Sequence, residues 1–126
     1  MAKAKCAIII LILTIIMCVL SFFYLENVTK TLTTEINLVK EYISKEETDL
    51  AFKKAESAIK VWNNNRKILK TFIDHSHLDN LETDLYELKS NLTNGETSEI
   101  LATSENIISR IKQLKNSEKP SLENVL

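Results

Sequence analysis

The side chains best suited to chemistry in this 126-residue sequence lie between residues 74 and 82. His75, His77 and Asp79 carry the imidazole and carboxylate groups that zinc and other divalent ions bind. The two histidines are two positions apart across an expected helix start, whereas two ligands on one helix face need a spacing of four. We therefore predict no metal site, and these three residues are the candidates if a metal-dependent enzyme is considered.

The rest of the sequence has no pattern typical of catalysis. A nucleophile elbow, a phosphate-binding loop, a zinc-protease helix and a paired-cysteine motif are all missing. We expect no enzyme, no catalytic residue and no cofactor. The 74–82 segment is explained more simply as a turn, in which Ser76 is the helix N-cap and Asp79 and Glu82 favour the positive end of the helix dipole.

The first element that positions this turn is an apolar stretch at residues 6–25. Its twenty residues include no charge, glycine or proline, and thirteen of them are Leu, Ile, Val or Phe. As a helix they span about 30 Å, which is the hydrocarbon thickness of a bilayer. The sequence therefore predicts a transmembrane helix at residues 6–25.

We expect this helix to be an uncleaved signal anchor in the cell membrane. The apolar run is longer than the core of most secretory signals, and residues 21–26 contain no small-x-small cleavage site. Cleavage and lipidation are the alternatives. Lys3 and Lys5 precede the stretch and Glu26 follows it, so the positive-inside rule predicts a cytoplasmic N-terminus at residues 1–5 and an extracellular C-terminal domain.

Composition favours a helical domain after the anchor. One Gly and one Pro leave few turn residues for a sheet, and a net charge of -1 gives no basic face for nucleic acid. Both cysteines, Cys6 and Cys18, lie in the apolar stretch, so the following domain can form no disulfide. We predict an all-α fold in which a single transmembrane helix continues into a small antiparallel bundle of three or four helices.

Apolar residues spaced by three and four mark the helices. The first continues from the anchor as a juxtamembrane helix at residues 26–44. A capping-box pattern at Ser44 begins a helical bundle over residues 45–116. Within it, the second helix runs to about Ile73 with an apolar stripe from Ala51 to Phe72, in which Trp62 is interpreted as a core residue. The third starts near Ser76 with a stripe from Leu78 to Leu92, and the fourth ends near residue 115 with a stripe from Ile100 to Leu114. Pro120 then places residues 117–126 in a C-terminal tail.

The juxtamembrane helix carries the interaction surface that we expect, an apolar stripe on one face. Such a stripe can bind a membrane partner or a second copy of the chain, and the anchor would raise the local concentration. The alternative is that the domain's own core uses the stripe. Its members are Val28, Leu32, Ile36, Val39 and Ile43.

Charge is shared unevenly among the helices. Residues 53–70 carry six basic and one acidic side chain, and residues 74–105 carry eight acidic and one basic. Neighbouring antiparallel helices are therefore expected to place opposite charges side by side, which selects the pairing. A basic patch for anionic lipid or cell-wall polymer is the alternative.

These features resemble a family of small membrane-anchored proteins from anaerobic, spore-forming Gram-positive bacteria, catalogued as domain of unknown function 4363. The resemblance lies in the anchor, in Trp62, in residues 72–82 and in the last five residues. It implies no established activity, and it implies an accessory role beside a multi-spanning membrane protein. It further implies a structural turn motif that pins the second helix to the third, with the His75 ring hydrogen-bonded. The motif comprises Asp74, His75, Ser76, Asp79, Asn80 and Glu82.

We therefore expect a non-catalytic, extracytoplasmic helical module that works by contact with a membrane protein or with itself. A ligand or ion sensor that acts through a partner protein is the alternative.

Overall fold

The computed structural model describes residues 1–71 and 73–125, with side chains described up to Asn116 apart from residue 72. The fold is all-α, as predicted, and consists of a long apolar N-terminal helix followed by a helical bundle. The helices are α1 (Ala2–Ser44), α2 (Thr48–Leu69), α3 (His75–Asn94) and α4 (Thr97–Val125).

Helix α1 is a single helix in two environments. Its 43 residues rise about 65 Å at 1.5 Å per residue. Residues 2–20, named here the rod, are all exposed, whereas Leu25 and the apolar stripe that follows are buried in the bundle. The helix runs unbroken from Ala2 to Ser44, which confirms the prediction of one continuous helix through residue 44. No glycine or proline separates the two parts.

The four helices form an antiparallel bundle in which each packs against two others. Helix α1 contacts α2 and α4, and α3 contacts the same two helices on the opposite side. Ion pairs Lys40–Glu105 and Lys115–Glu26 fix the antiparallel register of α1 and α4. The bundle therefore has a junction end, where α1 becomes the rod, and a far end, at the α1–α2 and α3–α4 turns.

The core consists of the apolar stripes that the helical spacing predicted. Trp62 is fully buried at its centre, which confirms its interpretation as a core residue. Helices α2, α3 and α4 contribute their predicted stripes, with Asn65 half-buried and Phe72 outside the described residues. The core members on α3 and α4 include Leu78, Leu81, Leu85, Leu88, Leu92, Ile100, Ile107, Ile111 and Leu114.

The expected interaction stripe of α1 is part of this same core. All five of its residues are at most 6% exposed and belong to the cluster that α2 and α4 complete. The prediction that this stripe faces a partner is therefore wrong for this fold, because three further amphipathic helices suffice to cover it. The stripe comprises Val28, Leu32, Ile36, Val39 and Ile43.

The N-cap of α2 lies three residues after the predicted one. Ser44 is the last residue of α1, where its hydroxyl donates to the Lys40 carbonyl at 2.9 Å, and Glu47 is the N-cap of α2. Glu46 between them makes the turn with φ 61°. Gly95 caps α3 in an extended conformation, and a Cβ there would lie 2.7 Å from the Asn91 carbonyl oxygen, so only glycine fits.

Helix α4 continues to Val125 and so passes the end that the sequence predicted. The prediction ended the helix before Pro120 because proline lacks an N–H and crowds the preceding turn. A proline inside a helix removes one backbone hydrogen bond, and here the helix continues past it. The backbone of the predicted tail is therefore helical through Val125, and its side chains lie outside the described residues.

Charge pairing between neighbouring helices follows the predicted pattern. Arg66 of α2 contacts Asp79 of α3 at 3.4 Å, and Arg110 of α4 pairs with the buried Asp84 of α3. These pairs join the basic part of α2 and of α4 to the acidic α3. Within α1, Lys45 donates to Glu41 at 3.1 Å, and this hydrogen bond raises the pKa of Lys45.

Candidate functional site

The predicted turn motif lies at the junction end of the bundle, between α2 and α3. Helix α3 begins at His75, and Asp74 is its N-cap with extended backbone angles of φ −60° and ψ 136°. Ser76, predicted as the cap, lies two residues inside, and its hydroxyl contacts Asp74 Oδ2 at 3.3 Å. The cap is displaced because the chain leaves α2 earlier than the sequence indicated, at Leu69.

The histidines of this turn are not gathered into a metal site. His75 is exposed and His77 is half-buried. Across the described part of the chain, no three His, Cys, Asp or Glu side chains lie close enough to hold a metal ion. The structure therefore does not bring the candidates His75, His77 and Asp79 together, and neither imidazole has a hydrogen-bond partner among described side chains. The hydrogen bond expected for the His75 ring is not seen among the described residues.

The acidic members of the motif connect α3 to α2. The indole N–H of the buried Trp62 donates to Glu82 Oε1 at 3.2 Å. Arg66, one turn further along α2, contacts Glu82 at 3.5 Å and Asp79 at 3.4 Å. Both carboxylates therefore contact the guanidinium, Glu82 also accepts from the indole, and two of the six motif residues connect α3 to α2. Asn80 is exposed and takes no part in this connection.

The Trp62–Glu82 hydrogen bond is a feature that the sequence did not predict. A buried indole N–H needs an acceptor, and one was to be expected somewhere on a facing helix. The two residues are 20 positions apart, so their contact depends on the register of α2 against α3. The same applies to Tyr24, whose hydroxyl donates to Asn65 Oδ1 and ties α1 to α2 at the junction end.

A pocket of ≈ 400 Å³ opens at the junction end, between α1 and α4. Its apolar side is formed by Phe22 and Leu25, at the point where the rod joins the bundle. Its polar side includes Lys115, which pairs with Glu26 at 3.3 Å. Among the residues with described side chains, the pocket is lined by Phe22, Leu25, Glu26, Lys112, Lys115 and Asn116.

The pocket has the chemical character of a binding site for an amphiphile. Its described lining combines apolar side chains with two ammonium groups and one carboxylate. Lys112 is exposed and has no ion pair with another described side chain. The pocket can therefore accept an anion through Lys112 and Lys115 and an apolar group against Phe22.

The structure defines a class of protein, an all-α four-helix bundle carried by a continuous apolar N-terminal helix. By length and composition α1 is able to cross a membrane, a property that it shares with signal sequences. Residues 19–125 match the family described as a domain of unknown function (DUF4363), so the chain belongs to that family. The matched stretch begins two residues before Ser21, where α1 first contacts the bundle.

Comparison with curated proteins gave no match, and comparison with solved structures gave none either.

Proposed function

We propose that this protein is a single-pass membrane protein whose helical bundle is held directly on the membrane surface. The observation that carries the proposal is the division of α1 into an exposed apolar rod and a buried stripe within one unbroken helix. An apolar surface covering all sides of a helix is favourable in lipid and costly in water. The bundle gives the rod no cover, since the described core begins at Leu25.

The rod is proposed to be an uncleaved anchor with the bundle outside the cell. Phe22 and Leu25 belong both to the predicted span and to the lining of the junction pocket. Cleavage in this region would remove or expose residues that close the junction end of the bundle. Lys3 and Lys5, at the free end of the rod, support a cytoplasmic N-terminus.

The module is proposed to be non-catalytic and to work by contact within the membrane. Beyond the rod, the large apolar residues exposed on the described part of the chain are Phe23, Leu50, Ile68 and Tyr86. Phe23 adjoins the rod, and the other three lie at separate places and form no docking face. The contiguous exposed apolar surface is the rod. A multi-spanning membrane protein or a second copy of the chain would therefore meet this protein through the rod.

The native cysteines provide the test of this contact. Cys6 and Cys18 are exposed on the rod and are the only thiols of the chain. Oxidation of native membranes should trap a disulfide product through Cys18, and Cys18→Ser should remove it. A homodimer in the product identifies self-association, and a heavier product identifies the partner by mass spectrometry. A monomer under all oxidising conditions, with both thiols reactive, would contradict contact through the rod.

The anchor and its orientation need a separate test. The intact chain, with the mass of the uncleaved sequence, should stay in membranes washed with alkaline carbonate. Protease added to cells without a wall should digest the bundle and leave a fragment containing residues 1–20. Recovery of a shorter chain in the medium would instead identify a cleaved signal.

A further inference from the structure

The two ends of the bundle carry opposite net charge, which becomes visible when the helices are aligned by their cross-helix pairs. Residues level with the junction end, at 21–34, 59–84 and 107–116, include eight basic and five acidic side chains. Residues level with the far end, at 35–58 and 85–106, include five basic and ten acidic side chains. The described side chains of the junction half therefore sum to +3 and those of the far half to −5.

The cations of the junction end are available for binding. Lys67 and Lys70 at the end of α2 and Lys112 on α4 are exposed, and none is ion-paired with a described side chain. The acidic residues of this end are largely occupied by other contacts. Asp79 and Glu82 contact Arg66, Asp84 pairs with Arg110, and Glu26 pairs with Lys115.

The length of the rod places these cations at a defined depth. Residues 6–20, the uncharged part of the rod after Lys5, rise about 23 Å, and residues 21–25 extend the apolar span to about 30 Å, the hydrocarbon thickness. The bundle begins to contact α1 at Ser21, with no intervening spacer. Once residues 6–25 span the bilayer, Phe22 and Leu25 therefore lie at the outer boundary of the hydrocarbon, and Glu26 and its partner Lys115 lie in the headgroup layer.

We propose that the junction end binds anionic phospholipid, with the junction pocket holding the phosphate of one headgroup. This inference rests on the proposed membrane anchor. Lys112 and Lys115 bind the phosphate, Phe22 and Leu25 contact the start of the acyl chains, and Lys67 and Lys70 attract neighbouring headgroups. Glu26 opposes an anion, and its pairing with Lys115 reduces that opposition. The acidic far end is repelled from the same surface, which holds the bundle upright.

The test uses the full chain reconstituted in phosphatidylcholine vesicles that contain a small amount of spin-labelled lipid. The fraction of immobilised label gives the affinity for spin-labelled phosphatidylglycerol relative to spin-labelled phosphatidylcholine. The wild-type chain should prefer the anionic lipid, by about fivefold for each lysine that contacts a headgroup. High salt should weaken the preference by screening the exposed lysines.

Matched double variants assign the preference to the junction pocket. Lys112→Gln with Lys115→Gln should lower the relative affinity by about fivefold for each lysine removed, because both ammonium groups of the pocket are lost, and Lys67 and Lys70 should retain the remaining preference. Lys53→Gln with Lys54→Gln removes the same charge at the far end and should leave the preference unchanged. Circular dichroism checks that each variant keeps its helix content, since the only pair lost is the exposed Lys115–Glu26 pair.

Each other result overturns the inference in a recognisable way. Equal affinity for both lipids in an inserted wild-type chain, or full preference in the Lys112/Lys115 variant, rejects lipid binding at this pocket and leaves the anchor intact. Displacement of spin-labelled phosphatidylglycerol by millimolar glycerol phosphate would identify a soluble phosphate ligand instead. A chain that does not insert into the vesicles would reject the anchor as well.

Discussion

The two halves of α1 are equally helical but face different surroundings. In the rod, apolar side chains surround the helix on all sides, and Ile12 is 50% exposed. In the second half, apolar residues occupy one face, and Leu32 is 1% exposed. The arrangement of apolar residues around the axis, more than their number, therefore decides whether a segment of helix is completed by its own chain or by lipid.

Truncation of one leucine in each half should give the sharpest contrast. Leu32→Ala removes a fully buried side chain from the core and should lower the free energy of unfolding by about 2–5 kcal/mol. Leu13→Ala makes the same change in the rod, where the side chain is 55% exposed, and should alter the stability of the bundle by less than about 0.5 kcal/mol. Urea unfolding of the full chain in detergent, followed by circular dichroism, measures both. Equal losses would show that the rod is part of the folded core.

A charge placed in each half should make the rod the sensitive half, because the measured quantity is now insertion into the membrane. Ile12→Arg puts a guanidinium at the centre of the proposed span and should cost insertion about 3 kcal/mol. Asn37→Arg puts it on an exposed position of the second half and should leave insertion unchanged. The fraction of chain that resists carbonate extraction measures insertion. Full retention of the Ile12→Arg chain would argue against a lipid-embedded rod.

The turn that follows the second half of α1 should become more stable on substitution, because Glu46 adopts φ 61° there. A left-handed conformation costs a residue with a side chain about 1–2 kcal/mol, and glycine avoids that cost. Glu46→Gly should therefore stabilise the bundle by about 1 kcal/mol in the same urea titration. Glu47→Gly, at φ −96°, has no such strain to relieve and should not stabilise it.

The smallest effect concerns one threonine in each half. Thr29 is buried and Thr14 is exposed, yet both hydroxyls donate to the carbonyl four residues earlier at 2.8 Å. Thr29→Val keeps the shape of the core and should change the free energy of unfolding by less than about 1 kcal/mol. Thr14→Val should leave unfolding unchanged and slightly favour insertion. A large loss at Thr29 would indicate that its hydroxyl contacts a neighbouring helix.

Helical periodicity predicted the core of this bundle almost residue by residue. The stripes Leu78–Leu92 and Ile100–Leu114 were visible because spacing alone decides which face is apolar. Helix ends were less predictable: Ser44 and Ser76 match cap patterns, but tertiary packing places the caps at Glu47 and Asp74.

Whether the α1 stripe is covered by the same chain or by a partner could not be predicted from its own residues. A stripe covered by the same chain and one covered by a partner have the same spacing, so the number and order of the other helices decides between them. The charge polarity of the bundle was hidden for a related reason. The sequence shows blocks of charge along each helix, and only the cross-helix register, as between Asn91 and Thr103, shows which blocks share an end.

Because α1 passes from rod to bundle as one helix, a tilt of the rod tilts the bundle with it. From residue 20 to residue 44 the helix rises about 36 Å above the pivot at the headgroup layer. A tilt of about 20°, the average for membrane helices, displaces its outer tip sideways by about 12 Å. Since no hinge absorbs that motion, a change in bilayer thickness or a push from a neighbouring protein reorients the whole exterior domain as one body.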